Sequence, residues 1–125
     1  MRAPAPAWIG MTIVLAACGD PGACTTSIEP GITVRALEAG TGRNVTDGAQ
    51  GTVSDGEYVD SLRPAELDGS HQVLRLRAAD ERPGTYGLFL ERTGYQSVSL
   101  SSVQVRAGDC HVDTVALDLT MVPIP

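Results

Sequence analysis

Between Gly84 and Met121 apolar side chains recur at every second position, and this period constrains the fold more than any other feature of the chain. Tyr86, Leu88 and Leu90 form one stripe, Val98 and Leu100 a second, Val103 and Val105 a third. Val115, Leu117, Leu119 and Met121 form the last. Successive side chains of a strand point to opposite faces, so each stripe marks a strand with one buried face. The segments Arg92-Thr93-Gly94 and Ala107-Gly108-Asp109 separate the runs and suit hairpin turns. Such stripes must be buried against one another or against a second sheet.

The same pattern extends upstream. Ile32, Val34 and Ala36 alternate with Thr33, Arg35 and Leu37, which predicts a strand after the turn at Ile28 to Gly31. Ala39 to Asn44 is a turn cluster, and Val45 to Ala49 is a short connection. Gln50 to Ser54 and Glu57 to Leu62 flank Asp55-Gly56, a strong hairpin signal that sets Tyr58, Asp60 and Leu62 on one face and Val59 on the other. Arg63 to Ser70 reads as a loop, with helical character at Ala65-Glu66-Leu67. Gln72 to Ala78 is a strand with Leu74, Leu76 and Ala78 inward and Val73, Arg75 and Arg77 outward. The tail Val122 to Pro125 is poor material for a ladder, because proline lacks an N–H donor. No helical period runs over ten residues. About seven short strands point to an all-β chain, an antiparallel β-sandwich of the transthyretin-like or immunoglobulin-like kind.

The beginning of the chain has a different character. Arg2 and the amino terminus supply a weak positive charge, and Ala7 to Ala17 is apolar. That run is well short of the roughly 20 residues a membrane-spanning helix needs, and it reads as an export signal. It closes on Leu15-Ala16-Ala17-Cys18, which resembles the lipobox of bacterial lipoproteins. The resemblance implies cleavage before Cys18, diacylglycerol on its sulfur and acylation of the new amino terminus. Two or three acyl chains hold a protein stably, at about 0.8 kcal/mol per buried methylene. The alternative is an ordinary secretory signal cut near Ala17 that leaves Cys18 a spare thiol. Gly19 in place of an aspartate favours the outer membrane of the cell envelope. The organisation read from these features is a signal peptide at 1–17, a lipid-anchored linker with Cys24 at 18–27, the sandwich at 28–122 and a tail at 123–125. The link from Cys18 to Cys24 reaches at most about 20 Å, so the domain would sit close to the bilayer.

With Cys18 lipidated, Cys24 and Cys110 remain, and an exported chain with two cysteines predicts one disulfide. The chain-entropy model gives such a long loop roughly 4 to 5 kcal/mol. The other use of these residues is a metal site from Cys24, Cys110, His111 and His71, but no paired C-x-x-C or H-x-x-H spacing supports it. No metal or other cofactor is expected.

The second half also resembles the carboxypeptidase regulatory-like domains, which have a transthyretin-like (prealbumin-like) sandwich. The matching marks are Thr41-Gly42-Arg43, Asp55-Gly56-Glu57-Tyr58, Pro83-Gly84-Thr85-Tyr86 and Gly94-Tyr95. The resemblance covers Ile32 to Met121 and implies a non-catalytic companion module. Two enzyme families with related sandwiches fit poorly. Hydroxyisourate hydrolases end in a Tyr-Arg-Gly-Ser-type tail, where this chain has Val-Pro-Ile-Pro. Intradiol dioxygenases hold iron with two Tyr and two His, and no ligand spacing here matches theirs.

Composition sets further bounds. The net charge is −6, so nucleic acid is not an expected partner, because phosphate contacts need a basic stripe. Only 4% of residues are aromatic, so the core must be Val, Leu, Ile and Ala with Tyr58, Tyr86, Phe89 and Tyr95 beside it. Asp55, Glu57, Asp60, Glu66 and Asp68 read as a solvated acidic segment without calcium-loop spacing. Ser97, Ser99, Ser101 and Ser102 mark an exposed strand face and not a nucleophile elbow. Asn44-Val45-Thr46 matches a glycosylation acceptor. Arg75 and Arg77 read either as an anion site or as a charged strand face. The expected function is a membrane-anchored envelope module with no catalytic activity, whose partner is an envelope protein or glycan. A glycan or peptide site would lie at a sheet edge or at the 63–70 loop.

Overall fold

The computed structural model describes residues 24–125; the segment read as an export signal, and Cys18, lie outside the described residues. Nine strands follow one another, with no helix among the described residues. They are β1 (Ile32–Glu38), β2 (Gln50–Asp55), β3 (Tyr58–Ser61), β4 (Arg63–Leu67), β5 (Val73–Ala78), β6 (Gly84–Glu91), β7 (Val98–Ala107), β8 (Val112–Asp113) and β9 (Val115–Met121). One sheet has the order β4-β5-β1-β9 and the other β3-β2-β6-β7-β8. The period-two stripes meet between them. Ile32, Val34 and Ala36 of β1 are fully buried, as are Val53, Tyr86, Leu90 and Met121, and all belong to one core cluster.

Three elements differ from the sequence expectation. Arg63 to Leu67 is an extended edge strand, with neither a loop nor a helical turn. Its proline is compatible with that role, because an edge strand leaves one row of donors unpaired, and register shifts flank Pro64 and Glu66. A short strand precedes the last stripe. Val112-Asp113 stays beside β7, the chain changes sheets at Thr114, and β9 runs parallel to β1 from Ile32↔Val115 to Glu38↔Met121. This is the one parallel pair in an otherwise antiparallel set. The Thr114 hydroxyl donates to the Pro30 carbonyl at 2.6 Å and pins the crossing. Finally, the tail does pair. The Gln96 N–H donates to the Val122 carbonyl and the Ile124 N–H to the Gly94 carbonyl, so the bonds fall either side of Pro123 and need no donor from it.

A phase break in β7 has a local cause. Leu100 and Val103 are three residues apart yet oppose Leu88 and Tyr86, which both face the core. Ser101 and Ser102 together face the single residue Gly87, which makes a bulge, and Ser102 has φ 61. Val98, Leu100, Val103 and Val105 can therefore all face inward.

The strands define two ends. Asp55, Tyr58, Ala78, Gly84, Ala107 and Val115 lie at the end where β1 begins, beside Cys24 and Cys110. The loops 38–50, 67–73 and 91–98 and the tail lie at the other end, one strand length away, roughly 25 Å.

Candidate functional site

At the first end, Cys24 and Cys110 form a disulfide with their Cα atoms 5.1 Å apart. His111 reinforces it. Its Nδ1 lies 2.5 Å from Glu81 Oε1 and its Nε2 lies 3.0 Å from Thr25 Oγ1. The Glu29 N–H also donates to Glu81 Oε1, at 2.8 Å. That backbone donor, and then His111, hold the Glu81 carboxyl below its ordinary range. A hydroxyl, an imidazole and a carboxylate in series is an arrangement that can activate a nucleophile. Here the Thr25 oxygen is also 2.6 Å from the Ser27 hydroxyl, and the series straps the segment after Cys24 onto the sandwich. Sequence reasoning missed it because its members are far apart in the chain and follow no spacing.

The four segments that carry the family resemblance meet two by two, at opposite ends. Near the disulfide, the Arg82 guanidinium lies 3.8 Å from the centroid of the Tyr58 ring, and its Nη1 donates to Asp55 at 3.1 Å. The Tyr58 and Tyr86 rings meet edge to face at 6.2 Å, and the Tyr86 hydroxyl donates to the Arg82 carbonyl at 2.6 Å. Burial raises the Tyr58 phenol above its ordinary value. Gly84 leaves room for this contact, since a Cβ would lie 2.6 Å from Asp55 Oδ2 and push that side chain aside. At the far end the Tyr95 hydroxyl donates to Glu38, which also accepts from Arg43 at 3.0 Å and from Thr41 at 2.9 Å. Tyr95 first, then Thr41, hold the Glu38 carboxyl low. These motif side chains pin hairpins to neighbouring strands.

The other sequence candidates are dispersed. Asp60 accepts from Arg63 and from the Ala79 N–H, Glu66 pairs with Arg75, and Asp68 caps its own turn through Ser70 and Gln72. Arg77 is bound to Asp80 and to the Ile28 carbonyl. Neither Arg75 nor Arg77 is left as an open anion site. His71 stands at the far end and His111 at the disulfide end, so the four-residue metal set does not converge. Among the described residues no cluster of three or more His, Cys, Asp or Glu could hold a metal ion. Thr46 of the glycosylation pattern is fully buried and receives the Ala36 N–H at 2.8 Å. Asn44 donates to the Leu74 carbonyl at 3.1 Å. That tripeptide is bonded to β1 and β5 of the four-stranded sheet.

What remains open is a groove on the outer face of the five-stranded sheet. One hollow of about 410 Å³ is lined by Gln50, Gly51, Thr52, Ser61, Leu62, Phe89 and Glu91. A second, of about 500 Å³, shares Gln50 and Glu91 and continues beneath the 92–97 loop to Tyr95, Gln96 and Ile124. Phe89 is 39% exposed and faces outward, not into the core. The period-two stripe of Tyr86, Leu88 and Leu90 places it on the opposite face of β6. No protein-family model matches the chain, and no curated protein matches it in sequence.

Proposed function

We propose that this chain is a bacterial envelope lipoprotein. Lipid on Cys18 holds it to the outer membrane, and its carboxypeptidase regulatory-like, transthyretin-like sandwich acts without catalysis as a structural or interaction module. The observation that carries the reading is the polarity of the domain. Cys24, a short reach from Cys18, is fastened to Cys110 at one end, and the groove opens towards the other. A tether there would hold the strapped end against the bilayer and leave the groove turned away from it. The four resemblance segments support the module assignment, since each serves as a pin in the sandwich and none is arranged around a reacting atom.

Membrane fractionation with mass measurement tests the anchor. Cys18→Ala is expected to release the protein from membranes with the loss of its acyl mass, and globomycin, which blocks cleavage before the lipidated cysteine, is expected to leave a heavier, membrane-bound precursor. A protein whose mass and fractionation are the same with and without either treatment is not a lipoprotein.

A further inference from the structure

We infer that the groove over β2 and β6 binds a neutral oligosaccharide. This names the partner of the module proposed above and rests on that reading, but the groove's chemistry does not depend on the anchor.

The position of the groove decides first against a peptide. β2 and β6 are interior strands in the order β3-β2-β6-β7-β8, so their backbone donors and acceptors are used in ladders on both sides. An extended peptide adds at a free edge, which in this sheet is β3 or β8 and not the β2–β6 floor of the groove. Recognition must come from side chains.

Those side chains suit a polyhydroxylated ring. A row across the sheet reads Ser61, Thr52, Phe89, Ser99, each opposite the next in register. The exposed Phe89 ring offers an apolar platform, and hydroxyls flank it on both sides. Gln50 and Gln96 add amides that both donate and accept. An aromatic face with a few convergent polar groups is the usual make-up of a small-ligand site, and both hollows fall within the usual size range.

Charge excludes an anionic ligand. The chain carries −6, and the groove has one cation, Arg92, and one anion, Glu91. Arg92 Nε donates to the Asp47 carbonyl at 2.9 Å, and its guanidinium lies 5.1 Å from the centroid of the Tyr95 ring. Glu91 accepts from the Gln50 amide at 3.2 Å. Neither bond neutralises a charge, but the two charges oppose one another in a chain of net −6, so the groove offers a phosphate or a uronic acid no net positive field.

The test uses the protein purified as the cell makes it, with cellohexaose, maltohexaose and chitohexaose as probes and saturation-transfer NMR as the readout. Saturable transfer to one of the three is expected. Phe89→Ala should weaken it about tenfold, as loss of a stacked ring does. Phe89→Tyr should retain binding, Gln50→Ala should weaken it, and Arg75→Gln on the opposite sheet should leave it unchanged. Circular dichroism confirms that each variant is folded. Transfer to none of the three, binding that survives both Phe89→Ala and Gln50→Ala, or preference for polygalacturonate would each overturn the inference. Cys18→Ala fractionation decides the anchor separately, so the two readings fail independently.

Discussion

The two sheets have inner faces of one kind and outer faces of opposite kinds. Across the four-stranded sheet, charged residues pair strand by strand. Glu66 lies 3.5 Å from Arg75, and Arg35 makes two hydrogen bonds to Asp118, at 3.0 and 2.8 Å. Arg63 and Arg77 stand directly opposite, an arrangement that repels on its own. Asp80 accepts from both of them, and Asp60 accepts from Arg63. Across the five-stranded sheet the face from Ser99 through Phe89 and Thr52 to Ser61 carries no charge. The difference separates two uses of a solvent-facing strand. One face has its polar groups saturated by one another, and the other leaves hydroxyls, amides and a ring for something else.

The strongest way to break this contrast is to deform the uncharged face from below. Gly51 sits in β2 under the groove, where a Cβ would stand 2.0 Å from the Phe89 carbonyl oxygen and 3.1 Å from Leu62 Cδ1. The backbone of an interior ladder cannot move aside cheaply. Gly51→Ala is expected to destabilise the fold by about 3 kcal/mol, the upper range for overpacking a core, measured by urea unfolding. It should also abolish glycan transfer. A variant that unfolds like the parent would mean that β2 and β6 have more freedom than the ladder implies.

Much of this architecture is legible in the sequence, and the parts that are not share a cause. The stripes of β1, β6, β7 and β9 are inward and the Asp55-Gly56 hairpin forms with Gly56 at φ 59, but in β5 only Leu76 and Ala78 join the core as expected, Leu74 does not, and Val73, read as outward, packs against it. Local spacing does not report where a strand changes sheet, so the strand that follows Leu62 reads as a loop in the sequence, and the crossing at Thr114 between β8 and β9 goes unseen. Nor could spacing foresee that Arg82, Tyr58 and Asp55 would meet, or that Thr25 would reach His111. The groove was invisible for a related reason, because it is made where β2, β3 and β6 come side by side. The phase break between Leu100 and Val103 was visible as numbers, but its cause needed the bulge. Ser102 in the left-handed region there costs roughly 1 kcal/mol relative to a residue without a Cβ. Ser102→Gly should therefore leave the fold intact and raise stability by up to about 1 kcal/mol in urea unfolding. A loss would mean that the Ser102 side chain makes a contact worth more than its strain.

The smallest effect tests the charged face. Arg35 and Asp118 are 38% and 50% exposed, so water and salt weaken their pairing. The hydrogen bond from Arg35, then its charge, lower the Asp118 carboxyl from its ordinary value. Glu38, Asp68 and Glu81 are lowered too, by Tyr95, by the Gln72 N–H and by the Glu29 N–H respectively. A carboxyl with a depressed folded-state pKa binds its proton more readily when unfolded. Its contribution is fully present above the unfolded pKa, about 4, and fades as pH falls through the folded value. Stability should therefore be flat from neutrality down to about pH 5 and then decline with acid. Asp118→Asn should make that decline shallower, with little change at neutral pH and none in high salt. The groove offers the contrast, since the row from Ser61 to Ser99 has no titrating side chain and Glu91→Gln removes the one carboxylate that lines the hollows. Over the range where the charged face begins to loosen, glycan affinity of the Glu91→Gln protein should stay constant. Affinity that tracked the acid transition of Asp118→Asn would show that the two faces are coupled through the core.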